Sequence, residues 1–144
     1  MKNKSIKLKA NLKNNLFLYA SIFSYLGSLI LPVHFVFEDA EGYFGYVYAY
    51  LGWMTFPYVD FYCWLGNFTL LFSWIFYRKK ASLYASFLTP ILMSFYGINH
   101  FTELNMLEVH EYNYPLFGYW VWLLSSIFMV IYHYKRNVLK SQTI

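Results

Sequence analysis

Residues 61–103 read FYCWLGNFTLLFSWIFYRKKASLYASFLTPILMSFYGINHFTE, and this stretch decides the fold. A segment without Asp, Glu, Lys or Arg at 61–77 is followed by Arg78, Lys79 and Lys80, and then by a second such segment that runs to 102. Each segment is near the ~20 residues that a helix needs to cross ~30 Å of hydrocarbon. A short basic turn between two such segments is typical of a membrane hairpin with its turn in the cytoplasm.

The composition of the whole chain excludes an ordinary soluble domain. Of 144 residues, 59% are hydrophobic and 25% aromatic, and only 12% are charged, against roughly 25% in an average soluble protein. Small domains bury the smallest fraction of their surface, so a body of this size cannot hide so much apolar area from water. The composition also excludes a disordered chain, and a single cysteine cannot build an internal disulfide framework.

Basic and acidic residues occupy separate parts of the chain. The basic residues fall at 2–13, 78–80 and 135–140, and the acidic residues fall at 38–60 and 103–111. With four crossings, all basic clusters lie on one side of the membrane, which the positive-inside rule makes the cytoplasmic side. The net charge of +4 then reflects anchors that face anionic lipid headgroups, and we expect no binding of nucleic acid.

These segments predict an all-α fold, a polytopic bundle of four transmembrane helices with both termini in the cytoplasm. The first apolar run is longer than the core of a signal peptide and no cleavage site follows it, so we expect it to be retained. The chain then forms a single transmembrane domain, 1–144, with a basic cytoplasmic arm at 1–15, crossings at about 16–37, 58–77, 81–101 and 114–134, an extra aromatic helix at 42–57 on the outer side, and a basic cytoplasmic tail at 135–144.

The segment 42–57 is uncharged, but we do not expect it to cross the membrane. If it crossed, the basic turn at 78–80 would move to the outer face, against the positive-inside rule. An interfacial or a re-entrant helix remains, and both alternatives stay open. Helical spacing gives it an aromatic face, Tyr43, Tyr46, Tyr50 and Trp53, and a strip of small residues, Gly45, Ala49 and Gly52, that lets another helix approach closely.

Asn67 is the main polar residue expected at mid-membrane. A polar group in hydrocarbon is costly unless it forms hydrogen bonds. Asn67 therefore either ties two helices together, a contact worth roughly 1 kcal/mol, or lines a translocation path. We favour the first interpretation, because a path needs several such residues and the other segments offer mainly hydroxyl groups.

Histidines and carboxylates form a candidate polar site on the outer face. His34 and Glu38 are four residues apart, and His100 and Glu103 are three apart, so each pair is compatible with one helical face. Asp60 is expected at the same level of the membrane. Such groups can bind zinc or relay protons, but no spacing matches a recognised metal signature. Whether the site holds a metal stays open, and solvated or paired side chains are the favoured interpretation. His133, near the basic tail, is expected to contact lipid headgroups.

The recognised signatures of catalysis are missing from the sequence. It contains no G-x-S-x-G elbow, no glycine-rich phosphate loop and no C-x-x-C. We therefore predict no catalytic residues and no cofactor, and we lean towards a protein that is not an enzyme.

The pattern of several aromatic and glycine residues resembles that of a group of small bacterial inner-membrane proteins with four helices. The pattern covers roughly 31–130, and Phe68 stands where the group has proline. It comprises Leu31-Pro32, Leu51-Gly52-Trp53, Trp64-Leu65-x-Asn67 with Leu70-Leu71 and Trp74, and Gly118-Tyr119-Trp120-x-Trp122-Leu123. The resemblance implies a bacterial inner-membrane bundle and supplies no activity.

Three functions remain in view. The first is a non-enzymatic membrane protein that recognises a membrane-protein partner, a second copy of itself or the outer leaflet of the lipid bilayer. The second is a small oligomeric transporter or channel that uses Asn67 and the outer histidine and glutamate residues. The third is a metal-dependent membrane enzyme at the outer face, which ranks last because the sequence has no motif for it.

Overall fold

The computed structural model describes residues 2–34, 43–103 and 116–141, with side chains for 15–33, 43–98 and 116–138. The described chain is mostly helical, which confirms the prediction of an all-α fold. Its elements are α1 (Lys2–Leu29), β1 (Pro32–His34), β2 (Tyr43–Phe44), α2 (Gly45–Leu51), a 3-10 turn (Gly52–Thr55), α3 (Val59–Ile75), α4 (Lys80–Glu103) and α5 (Phe117–Ser141).

The first helix ends earlier than the sequence suggested. A helix continuing to 37 was expected, but α1 ends at Leu29, and the expectation was wrong for 30–34, the residues that the structure describes after it. Pro32 accounts for the difference, because proline disfavours helical conformation in the residue before it and has no N–H for a helical hydrogen bond. The chain enters β1 instead, where Pro32 lies opposite Phe44 and His34 lies opposite Tyr43 of β2.

Two helical segments are long and apolar enough to cross a membrane. They are Lys80–Ile98 in α4 and Phe117–Val138 in α5. Asn15–Leu29 is apolar but shorter, and α3 has 17 residues. Among the described residues, length and composition thus support two of the four expected crossings.

The helices pack as two pairs. α1 lies along α5 and α3 lies along α4, while α4 and α5 join the pairs. One link between α1 and α5 is the Ser21 hydroxyl, which donates to the carbonyl oxygen of Ser125 at 2.7 Å.

The interior of this bundle contains many small polar side chains beside its hydrophobic ones, and its exterior is largely apolar. Of the described side chains, ten polar ones are buried and thirty-two large hydrophobic ones are exposed. Ser21, Ser82 and Thr89 are 0% exposed, whereas Phe23 and Ile75 are 71% and 70% exposed. This distribution differs from that in a soluble protein, which buries mainly aliphatic and aromatic side chains and exposes mainly polar ones.

The two ends of the bundle differ in charge. At one end, the Arg136 guanidinium donates hydrogen bonds to the carbonyl oxygens of Tyr77 and Arg78, and the Lys135 ammonium lies 4.1 Å from the centre of the Phe17 ring. The opposite end carries the β1–β2 hairpin, α2 and Asp60. This arrangement matches the separation of basic from acidic residues along the chain.

Candidate functional site

A cavity of about 60 Å³ opens among the elements at the acidic end. We call it the aromatic cavity, because its walls include the rings of Tyr48, Trp64, Tyr96, Tyr119 and Trp122. Asp60 and Asn67 also line it. The sequence points to these two polar residues for separate reasons, and the folded chain brings them to one place.

The small-residue strip of α2 allows the close packing that places this helix over the cavity. A Cβ atom added at Gly45 would overlap the carbonyl oxygen of Ser28 in α1, and one added at Gly52 would overlap the indole of Trp64. Both glycines are buried. The strip predicted from the sequence is thus confirmed as a contact surface. The Trp64 indole N–H also donates to the carbonyl oxygen of Ala49 at 2.9 Å, which fixes α2 to α3.

The opposite side of this segment is an exposed aromatic face. Tyr46, Tyr50 and Trp53 are 57%, 78% and 56% exposed, and the ring of Tyr46 stacks on that of Phe44 at 6.0 Å. Tyr43, which was expected on the same helix, lies in β2 and is also exposed. The predicted division of the segment into aromatic and small-residue faces is confirmed.

Asn67 forms the kind of interhelical contact that the favoured interpretation required. The Trp122 indole N–H in α5 donates to its Oδ1 at 2.8 Å, and Asn67 is 9% exposed. The residue nevertheless lines the cavity. It therefore serves packing by its hydrogen bond and is also placed to meet a ligand.

Two tyrosines and Asp60 interact on one side of the cavity. The rings of Tyr48 and Tyr96 are 6.5 Å apart in an edge-to-face arrangement, and their hydroxyl groups are hydrogen-bonded. Burial, followed by the negative charge of Asp60, raises the pKa of Tyr48 to about 12. Tyr48 therefore stays protonated at neutral pH and contributes no negative charge of its own.

Several hydrogen-bond donors in the cavity walls already bind groups of the protein. The indole N–H groups of Trp64 and Trp122 are bound as described above. Three hydroxyl groups are also bound: Ser28 donates to Tyr25 O at 2.7 Å, Thr55 donates to Gly52 O at 2.6 Å, and Tyr119 donates to Met93 O at 3.4 Å. What these walls offer a ligand is aromatic surface, the amide of Asn67 and the carboxylate of Asp60.

Most of the outer histidine and carboxylate site falls beyond the described side chains. The backbone of His34 lies in β1 and not in a helix, because Pro32 has already ended α1. His100 and Glu103 lie at the end of α4, and Glu38 is outside the described residues. Among the residues whose side chains are described, no three of His, Cys, Asp or Glu come together as a metal site would require.

Sequence reasoning missed the polar cluster around His133. His133 was expected to contact lipid headgroups, but it is 3% exposed and its Nε2 lies 2.8 Å from the hydroxyl oxygen of Ser82. Ser82 in turn donates to the carbonyl oxygen of Ser73 at 2.8 Å, and Ser73 donates to that of Ser82 at 3.2 Å. These hydrogen bonds link α3, α4 and α5. Because Ser82 is 0% exposed, its hydroxyl is not accessible as a nucleophile. No sequence motif indicates this cluster, because its members are up to sixty residues apart in the chain.

Comparison with protein-family models, with characterised proteins and with solved structures finds no significant match.

Proposed function

We propose that this chain is an integral protein of the bacterial inner membrane that spans the bilayer four times and acts, without catalysis, by recognising a molecule or partner at the outer leaflet. The observation that carries the membrane assignment is the distribution of side chains between interior and exterior. In water, thirty-two large apolar side chains would be exposed to a solvent that disfavours them, whereas lipid solvates them. In lipid, helix association is favoured by small and hydroxyl residues at the helix contacts, and serines and threonines make up most of the buried polar side chains here.

The two shorter helices belong to the same membrane-spanning bundle. α1 packs along α5 and α3 packs along α4, so a bilayer that surrounds α4 and α5 also surrounds their partners. Their outward surfaces are apolar, with Phe23 at 71% and Phe68 at 52% exposure. At ~1.5 Å per residue the 17 residues of α3 span about 26 Å, and local thinning of the bilayer compensates for such a small deficit.

In this arrangement α2 lies in the outer interface. A helix of 7 residues is too short to cross, and its exposed face consists of the aromatic residues that concentrate at the boundary between lipid and water. The positive-inside rule places the opposite, basic end in the cytoplasm together with both termini. The outer end then presents the aromatic face to headgroups or to a neighbouring protein.

Recognition fits the interior better than translocation does. A transporter path needs polar groups that are available to its cargo, but many interior hydroxyls bind the backbone of their own helix, as Ser86 does with Leu83 O, Ser125 with Trp122 O and Ser126 with Leu123 O. A small oligomeric transporter is therefore the second candidate. A metal-dependent enzyme at the outer face is the third.

Photo-crosslinking at single positions tests the recognition role. A photoreactive phenylalanine analogue at Tyr50, on the aromatic face, should give one discrete protein adduct in cells, either with a partner or with a second copy. The control position is Ile91 in α4, which is also exposed, at 55%, but lies on a lipid-facing helix and should give lipid adducts only. Equal adduct patterns at the two positions would contradict recognition of a protein through α2.

A further inference from the structure

We propose that the aromatic cavity binds a small organic ammonium group, with Asp60 as its counter-charge. This inference rests on the proposed function and deepens it, because it names the chemistry that the outer end recognises. Aromatic rings attract a cation through the negative potential of their faces, and cages of such rings recognise methylated and unmethylated ammonium groups.

The cavity walls combine the two features that such a group requires. Rings from four elements surround the space, among them Tyr48 of α2, Trp64 of α3 and Tyr96 of α4, and Asp60 supplies a carboxylate. Of the described residues that line the cavity, Asp60 alone carries a charge. A carboxylate beside aromatic walls in a partly dehydrated space attracts a cation more strongly than it would in water.

The same walls disfavour an anion. The indole N–H groups of Trp64 and Trp122 and the hydroxyl of Tyr119 donate to acceptors of the protein. An anionic ligand needs donors to replace its hydration, and these donors are already engaged. It would also have to approach Asp60.

The charge distribution of the chain favours cations at this end. The segments 34–42 and 99–115, which join the elements at the acidic end, contain six of the seven acidic residues and no Lys or Arg. Every basic residue belongs to 2–13, 78–80 or 135–140. A surface of one sign raises the local concentration of ligands of the opposite sign.

Size and ligand chemistry favour an organic cation over a metal ion. A volume of about 60 Å³ is roughly four times the ~15 Å³ that one buried water needs, which leaves room for a small ammonium headgroup. Calcium and magnesium require six or more oxygen ligands. The described walls offer one carboxylate, and aromatic carbon cannot substitute for the missing oxygens.

Titration of the purified chain with choline tests the proposal. In neutral detergent, calorimetry should show saturable binding of choline and of ethanolamine. The matched control is 3,3-dimethylbutan-1-ol, which has the shape of choline but no charge, and it should bind at least tenfold more weakly. Equal binding of choline and this alcohol would overturn the proposal. The comparison needs no substitution, so it decides the matter even if a variant fails to fold.

Variants then assign the charge to Asp60. Asp60→Asn should weaken choline binding at least tenfold, while Asp60→Glu, which keeps the carboxylate, should change it less than threefold. Glu111→Gln removes the same charge from the acidic side of the chain and should leave binding within twofold. A folded Asp60→Asn protein that binds choline as well as the native chain does would also overturn the proposal.

The ammonium group has two sources, a free amine outside the cell or the headgroup of an ethanolamine lipid, and one further measurement distinguishes them. If the source is a lipid, phosphatidylethanolamine should co-purify with the native chain and be lost from Asp60→Asn. If the source is free, ethanolamine should bind in phosphatidylglycerol nanodiscs, and no ethanolamine lipid should be retained. Failure of choline and ethanolamine to bind while the chain remains embedded in membranes would refute this site only. A chain that alkali extracts from membranes would refute the proposed function itself.

Discussion

The Trp122 indole N–H donates to the Oδ1 of Asn67 at 2.8 Å and so connects α5 to α3, two helices that otherwise meet mainly through α4. The bond lies beside the aromatic cavity, which both residues line. A buried amide that holds two helices together and also borders a cavity has a structural role that must be separated from a functional one by experiment.

Replacement of Asn67 separates these roles. Asn67→Leu should lower the free energy of unfolding in detergent by about 1 kcal/mol, the usual worth of an interhelical hydrogen bond in a membrane protein. Trp122→Phe removes the donor of the same bond, so the double variant should be less destabilised than the sum of the single variants. Thermal unfolding of the four proteins checks this. Full additivity would mean that the bond contributes nothing.

The glycines beneath α2 provide a second prediction. Gly45→Ala places a methyl group against the carbonyl oxygen of Ser28, and Gly52→Ala places one against Trp64, so each should destabilise the protein by about 1 to 3 kcal/mol. The control is Gly27→Ala, because a Cβ there has no neighbour within 4 Å, and its effect should stay within about 0.5 kcal/mol. Unfolding midpoints and protease sensitivity of α2 measure the difference. Three equal midpoints would show that α2 is not held as described.

Local sequence patterns were sufficient to predict that the chain is helical and which residues form the two faces of α2. These features depend only on residues that are close together in the chain: the length of the charge-free segments, the small-residue strip with Gly45 and Gly52, and the aromatic residues opposite that strip. The pairing of α1 with α5 does not. It rests on contacts such as that of Ser21 with Ser125, and the numerous serines and threonines of this sequence make many alternative pairs equally plausible from composition alone.

The aromatic cavity could not be predicted from the sequence for the same reason. Asp60 and Asn67 were both singled out, but Tyr48, Tyr96 and Trp122 become neighbours only once α2 folds back over three helices. The end of α1 was nearer to prediction. Pro32 is a helix-ending signal in the sequence, whereas the apolar residues that follow it favour a longer helix.

Reporter fusions test the proposed topology. Fusions after Glu41 and Glu108 should be active as periplasmic reporters, and fusions after Lys80 and at the C-terminus should be active as cytoplasmic reporters, because the basic clusters stay inside. A periplasmic signal after Lys80 would mean that 42–57 crosses the membrane after all.

The buried bond between Ser82 and His133 predicts a measurable loss of stability. Ser82→Ala leaves the Nε2 of His133 without this partner in the interior, which should cost about 1 to 3 kcal/mol. Ser86→Ala is the control, since Ser86 is equally buried but its hydroxyl binds the carbonyl oxygen of Leu83 in its own helix. Thermal unfolding of both variants in the same detergent decides the comparison. A larger loss for Ser86→Ala would argue against the cluster as the link between α4 and α5.

A pair of arginine substitutions tests whether lipid surrounds the bundle. Phe68 and Tyr50 are both exposed, at 52% and 78%, but Phe68 lies near the middle of α3 and Tyr50 on the face assigned to the interface. In a membrane, Phe68→Arg places a charge at mid-bilayer and should cost about 2.5 to 3.5 kcal/mol, with loss of protein from the membrane fraction. Tyr50→Arg keeps its charge among headgroups and should accumulate normally. In water both arginines would be solvated, so equal accumulation of the two variants would contradict the four-helix membrane arrangement.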